Sequence, residues 1–166
     1  MRRKAAVVAI LAAVTVSSFI VGGCGQQKTV GDVISQISNN SPVSSPSDTE
    51  FTYGDKTVKY LRHEVTENAS GEKVLVVYYD FTNNSSDNAV FDYSFDDTCF
   101  QNGVEIEHSM WHVNDESRNS GKEIQKGVTI TVASSFVLED STDDVTLEIT
   151  PFVGERKLLT KTLTLE

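Results

Sequence analysis

The residues best equipped for chemistry in this 166-residue chain are His108, Met110 and His112, in the run His108-Ser-Met-Trp-His112. If that run is extended, the three side chains project from one face, each about 6.6 Å beyond the last. Two imidazoles and a thioether form a soft ligand set that suits copper, above all Cu(I). Histidines four positions apart on a strand are too distant to share one ion unless the strand bulges or the next loop folds back. The same positions continue the alternation of Val104 and Ile106. The competing reading therefore puts Met110 at the end of a core, with His108 and His112 as satisfied partners at its rim. Trp111, on the other parity, is a candidate contact aromatic or a cover for the outer face.

Two acidic clusters, Asp92, Asp96, Asp97 and Asp140, Asp143, Asp144, could bind Ca²⁺ if a loop converged them,. Neither has the spacing of a calcium loop, and acidic turns are common. Serines are plentiful, but there is no Gly-x-Ser-x-Gly elbow, no glycine-rich phosphate loop and no His-Glu-x-x-His,. No enzyme and no cofactor are expected from these residues.

The N-terminus carries a more specific signal. Arg2, Arg3 and Lys4 precede an apolar run from Ala5, which ends in Val21-Gly22-Gly23-Cys24. Cations, an apolar stretch and small residues are the three regions of a secretory leader. An aliphatic residue and two small ones before a cysteine look like a bacterial lipobox. In proteins with that motif the thiol receives a diacylglyceryl group and the preceding peptide is removed. The alternative is an uncleaved span, since a membrane helix needs about 20 apolar residues. Thr15, Ser17 and Ser18 make it a mediocre one. Either way the cations stay inside and the rest of the chain lies on the extracytoplasmic face.

Removing residues 1–23 takes three of the 14 basic residues and none of the 24 acidic ones, which leaves a net charge of −13. Such a surface opposes nucleic acid and anionic lipid and keeps a secreted domain soluble. With Cys24 committed to lipid (a palmitate-type acyl anchor), Cys99 is the remaining cysteine. No intrachain disulfide is available, and a buried, inert thiol is expected.

Residues 24–50 are rich in Ser, Asn, Gln and Asp and read as a polar tether,. Val30, Val33, Ile34 and Ile37 would allow a short amphipathic helix there. From residue 51 to 166 the period is two. Strands are expected over residues 57–65, 72–83, 90–100, 104–112, 127–139, 145–149 and 157–165, with no convincing helix. Turns are expected at Asn68–Gly71 and at Asn102-Gly103, where a hairpin needs positive φ. Residues 112–126 read as a long polar loop. About seven strands at this spacing imply an all-β, antiparallel two-sheet sandwich of immunoglobulin-like type.

The runs Val76-Val-Tyr-Tyr-Asp-Phe-Thr-Asn83, Phe100-Gln-Asn-Gly-Val-Glu105 and Phe136-Val-Leu-Glu-Asp140, the last on a strand opening at Lys126-Gly127, carry a resemblance. Over residues 55–152 the chain resembles bacterial lipoproteins with small immunoglobulin-like extracytoplasmic domains of unknown function. These are mainly Gram-positive and related to a secreted mycobacterial immunogenic antigen. The resemblance implies the sandwich fold and the anchored layout, and brings no catalytic residues. The expectation is a cell-membrane lipoprotein, held by lipid on Cys24, acting as a non-catalytic binding or interaction module toward an envelope protein or wall ligand. The alternative is a copper-type lipoprotein using His108, Met110 and His112.

Overall fold

The computed structural model describes residues 48–139 and 142–165. The expected leader, Cys24 and the tether up to residue 47 lie outside the described residues, as does Asp140. The described chain forms β1 (Glu50–Tyr53), β2 (Lys56–Glu67), β3 (Lys73–Asn83), β4 (Phe95–Gln101), β5 (Val104–Ile106), α1 (Asp115–Asn119), β6 (Val128–Val137), β7 (Val145–Pro151) and β8 (Leu159–Leu163). Two antiparallel four-stranded sheets result, in the orders β1-β2-β3-β6 and β5-β4-β7-β8. This is the expected immunoglobulin-like sandwich, with eight strands among the described residues rather than about seven.

The strand missed from sequence is β1, four residues paired with the start of β2. It is short, but Phe51 is fully buried and meets Phe95 edge-on at 5.4 Å between ring centres. The imperfect alternation of β2 has a physical cause. The register slips between Tyr60 and Arg62, a bulge at Leu61 that shifts the inward parity,. Val58 and Tyr60 face the core before it and Val65 faces it after, while Leu61 is exposed.

Leu75, Val77, Tyr79 and Phe81 of β3 face Cys99 of β4 and Leu147 and Ile149 of β7 across the inter-sheet core. Phe91 joins them, stacked on Tyr79 at 5.5 Å and edge-on to Phe81 at 5.7 Å. The other face of β3 is buried too: Val74, Val76 and Tyr78 pack with Ala133, Val113 and Val137. A strand apolar on both faces needs a second cover. Residues 107–126, which cross from one sheet to the other, supply it.

That crossing corrects two expectations. The strand predicted over residues 104–112 ends at Ile106, because Glu107 leaves β4 and bonds to the edge of β6 instead, through Val137 N–H to Glu107 O at 2.8 Å. The loop predicted over 112–126 contains α1. Asn114 caps it, with Oδ1 accepting from Ser117 N–H at 2.8 Å and a reciprocal contact from its own N–H to Ser117 Oγ,. The strand expected from Val90 starts at Phe95, since Phe91 O accepts from the N–H groups of both Ser94 and Phe95 in a tight turn. The Asn102-Gly103 turn is as expected, at φ 54° and 78°.

Candidate functional site

Strand β5 pairs only with Cys99–Gln101 of β4, so Phe95–Thr98 extend past its end. The crossing chain closes part of this gap. Ser109 N–H donates to Ser135 O at 2.7 Å, and His108 bridges to Phe136, its ring 4.4 Å from the phenyl centre. The result is a cleft of about 270 Å³ between the start of β4 and the edge of β6, under the 108–120 segment. Asp92, Asp96, Asp97, His108, Trp111 and Ser135 are among the residues that line it.

Asp97 shares the inward parity of Phe95 and Cys99 and is only 6% exposed. Its Oδ2 accepts from the Tyr79 hydroxyl at 3.0 Å. Burial pushes its carboxyl above the ordinary carboxylate range, and Asp92 adds to this. Nearby His108 and hydrogen bonds from Ser134 and Tyr79 oppose the rise,. The fully buried Tyr79 phenol is pushed well above its usual range, by burial first and then by Asp97, and remains a donor. His108 Nε2 lies 2.9 Å from the backbone oxygen of Asp97 and 3.9 Å from its Oδ1. A carbonyl only accepts, so Nε2 carries the proton.

The rim is held from both sides. Ser120 Oγ is within 3.1 Å of Asp92 Oδ2, and Asp92 N–H donates to Ser120 O. Asn114 Nδ2 donates to the Tyr78 hydroxyl at 2.7 Å and Asn119 Nδ2 to Thr131 O at 2.9 Å, which pins α1 to β3 and β6. Ser135 stands apart. It is 7% exposed, and among the described residues its Oγ is the buried side-chain polar atom with no hydrogen-bond partner. Leaving such a group unpaired costs about 1–3 kcal/mol.

Of the residues singled out from sequence, His108 and His112 meet at this cleft and Trp111 lines it at 54% exposure. Met110 is 95% exposed and is not among the lining residues. The common face expected of His108, Met110 and His112 does not form, because the chain is no longer a strand there. The first acidic cluster does converge on the cleft, but among the described residues no three His, Cys, Asp or Glu side chains are arranged to hold a metal ion. In the second, Asp143 caps the hairpin through Asn102 Nδ2 at 2.7 Å. Cys99 is buried, and desolvation drives its thiol far above the ordinary range, so it is inert as expected,. Cys24 lies outside the described residues.

Tyr79, Ser134 and Ser135 were not anticipated. One available signal was Asp97 itself, a carboxylate on the inward parity of an apolar strand. The other was the Ser134-Ser135 pair interrupting the apolar alternation of β6.

Chemically, the site offers one deeply buried carboxylate, two more nearby, hydroxyls and an aromatic wall, with no Lys or Arg in the lining. Among the described residues no serine hydroxyl is hydrogen-bonded to His108 or His112, and His108 Nε2 is directed to the Asp97 backbone oxygen.

Among curated proteins, no match to this chain is found. Two solved structures share the fold. One, "a putative lipoprotein from Staphylococcus aureus subsp. aureus NCTC 8325", superposes with a TM-score of 0.58 at 12% identity, covering 75% of this chain and 93% of its own. A protein from Enterococcus faecalis, solved by NMR, gives 0.57 at 11% identity over 75% and 95%. Residues 33–151 match the family model described as "Domain of unknown function (DUF5067)", and the chain belongs to that family.

Proposed function

We propose that the protein is a lipoprotein anchored through Cys24 to the outer face of a cell membrane, and that its domain holds a ligand in the cleft between β4 and β6 without transforming it. The lipobox Val21-Gly-Gly-Cys24 supports the anchor, and a fold neighbour described in the same terms accords with it. The observation that carries the binding reading is the cleft itself, which gathers the buried Asp97 with Asp92, Asp96, His108, His112 and the half-exposed Trp111. A concave site with a few convergent polar groups, a titratable residue perturbed by burial and an aromatic is the usual form of a ligand site. The natural ligand belongs to the cell envelope, as an exposed peptide or a wall component. Nucleic acid is disfavoured by the acidic surface,.

The test is a panel of immobilised envelope peptides and wall fragments, probed with the full-length protein in detergent and with its Trp111→Ala variant. The reading expects a component retained intact by the wild type and held at least about tenfold more weakly by the variant, the usual scale for an anchoring aromatic. Retention indifferent to Trp111, or conversion of the retained component to product, would contradict it.

A further inference from the structure

The end of the sandwich at which β4 begins carries a group of exposed apolar side chains that the cleft does not use. Tyr93, Phe152 and Val153 are 76%, 58% and 84% exposed. Single exposed apolar residues are ordinary, whereas a contiguous group of them marks an interaction surface. This group is built rather than scattered. Phe152 N–H donates to Ser94 O at 3.1 Å, which ties the bend after β7 to the turn before β4. The Tyr93 and Phe152 rings then meet edge-on, 6.5 Å between centres. The Ser94 hydroxyl closes its own turn by donating to Val90 O at 2.7 Å. Beside them lies a groove of about 280 Å³ that Tyr53 and Pro151 also line.

The charge there departs from that of the whole chain. The sequence has 24 acidic residues against 14 basic ones, yet the groove is lined by one lysine, Lys56, and by no carboxylate. Asp55 and Glu155 adjoin it in sequence, and Arg156 follows Glu155. Tyrosine and phenylalanine with a cation at their edge are the composition that settles between lipid headgroups and acyl chains. The ring bodies leave water for hydrocarbon while the phenol hydroxyl stays among the headgroups. The length of chain before the domain says which surface is within reach. Asp48, the first described residue, lies 24 positions after Cys24. The chain between them spans at most about 80 Å from an anchor at Cys24. Tyr53, at the end of β1, already lines the groove. Held that close, even a weak contact between patch and bilayer is made at high effective concentration.

We infer that Tyr93, Phe152 and Val153 form a tip that seats this end of the sandwich in the headgroup region of the membrane, with the β4–β5 hairpin at the opposite end pointing away. This rests on the Cys24 anchor proposed above and is independent of what the cleft holds. β4 runs from Phe95 at the tip to Gln101, so Val104, just past the hairpin turn, stands about 20 Å from the tip,. Val104 is itself 56% exposed and gives a matched control at the far end.

Trp111 is the chain's one tryptophan, so Trp111→Phe clears the background for a single reporter. Phe152→Trp and, separately, Val104→Trp are introduced into that protein, which is purified from membranes and reconstituted into vesicles of equal parts phosphatidylcholine and phosphatidylglycerol. Fluorescence is read with acyl-chain-brominated lipid and with aqueous iodide as quenchers. The expected result is a blue shift, loss of intensity to brominated lipid and protection from iodide for the Phe152→Trp reporter, with the reverse for Val104→Trp. Adding Tyr93→Ser and Val153→Ser to the Phe152→Trp protein should relieve the lipid quenching. Quenching untouched by those two changes would assign insertion to the introduced indole and overturn the tip. Equal lipid quenching of both reporters would overturn it as well, since no one end would then face the bilayer. Protection from iodide without lipid quenching would mean that a second copy of the chain covers the patch, which also overturns it. Both reporters open to iodide on protein that still floats with the vesicles would overturn the tip and leave the anchor standing. Protein that does not float with the vesicles would overturn the anchor and the tip together.

Discussion

At the scale of single residues, the account turns on Asp97. Its carboxyl is raised, so the folded state holds its proton to higher pH than the unfolded chain does. An acid raised on folding makes its most favourable contribution below its unfolded pKa. That contribution is lost as pH climbs through the raised folded value. Asp97→Asn keeps an oxygen for Tyr79 and removes the ionisation. The variant should match the wild type near pH 4 and gain on it toward pH 7, measured as the difference in Tm between the two proteins. His108 and Asp92, which face Asp97, are present in both, so the difference isolates the one group. A difference that shrinks with rising pH would contradict the burial argument. The residue was legible in sequence only as part of an acidic cluster. Its role depends on parity, which put one member of that cluster inward with Phe95 and Cys99 while Asp96 stayed outside.

At the scale of elements, the crossing from β5 to β6 is the device that makes the site. Asn114 both caps α1 and bonds the Tyr78 hydroxyl, joining the cover to β3. Asn114→Ala should cost about 1–2 kcal/mol in denaturant unfolding, within the range for a lost N-cap. It should raise amide hydrogen exchange in residues 107–121 while the β3 amides stay protected. Uniform loss of protection across β3 and β6 would show that the cover is not a separate unit. Gly103, at φ 78°, has open space where a Cβ would stand. Gly103→Ala should therefore cost about 1–2 kcal/mol from backbone strain alone, with no repacking of the core. The strands themselves were readable because period-two patterning and the Asn-Gly turn are local signals. What sequence missed was β1, whose four residues are too few to show a period, and the end of β5. The stop at Ile106 is decided by competition between two sheet edges for Glu107 and Ser109, which no local pattern encodes.

At the scale of the whole molecule, the sandwich class followed from strand count and spacing, and the fold is shared with proteins of about 12% identity. The cleft was not legible in that way. Its lining brings residues 92–97 together with residues 133–135 and the crossing chain between them, a meeting that no local pattern encodes. Phe81, Phe91, Phe95 and Phe51 form one aromatic cluster between the sheets. Phe81→Ala should cost about 3–5 kcal/mol by equilibrium unfolding, enough to threaten a domain of this size. The proposed anchor belongs to this scale as well. Cys24→Ala should move the protein out of the membrane fraction and abolish labelling by a palmitate analogue. Unchanged membrane partition would argue for an uncleaved span instead.

The central claim is that the cleft beside β6 is where this protein meets its ligand. Backbone amide chemical-shift mapping during a titration with the envelope component retained by the immobilised panel tests it most directly. The account predicts perturbations centred on residues 95–97, 108–112 and 133–135. Shifts centred instead on the exposed Tyr93, Phe152 and Val153, or on the β2 bulge at Leu61, would contradict it.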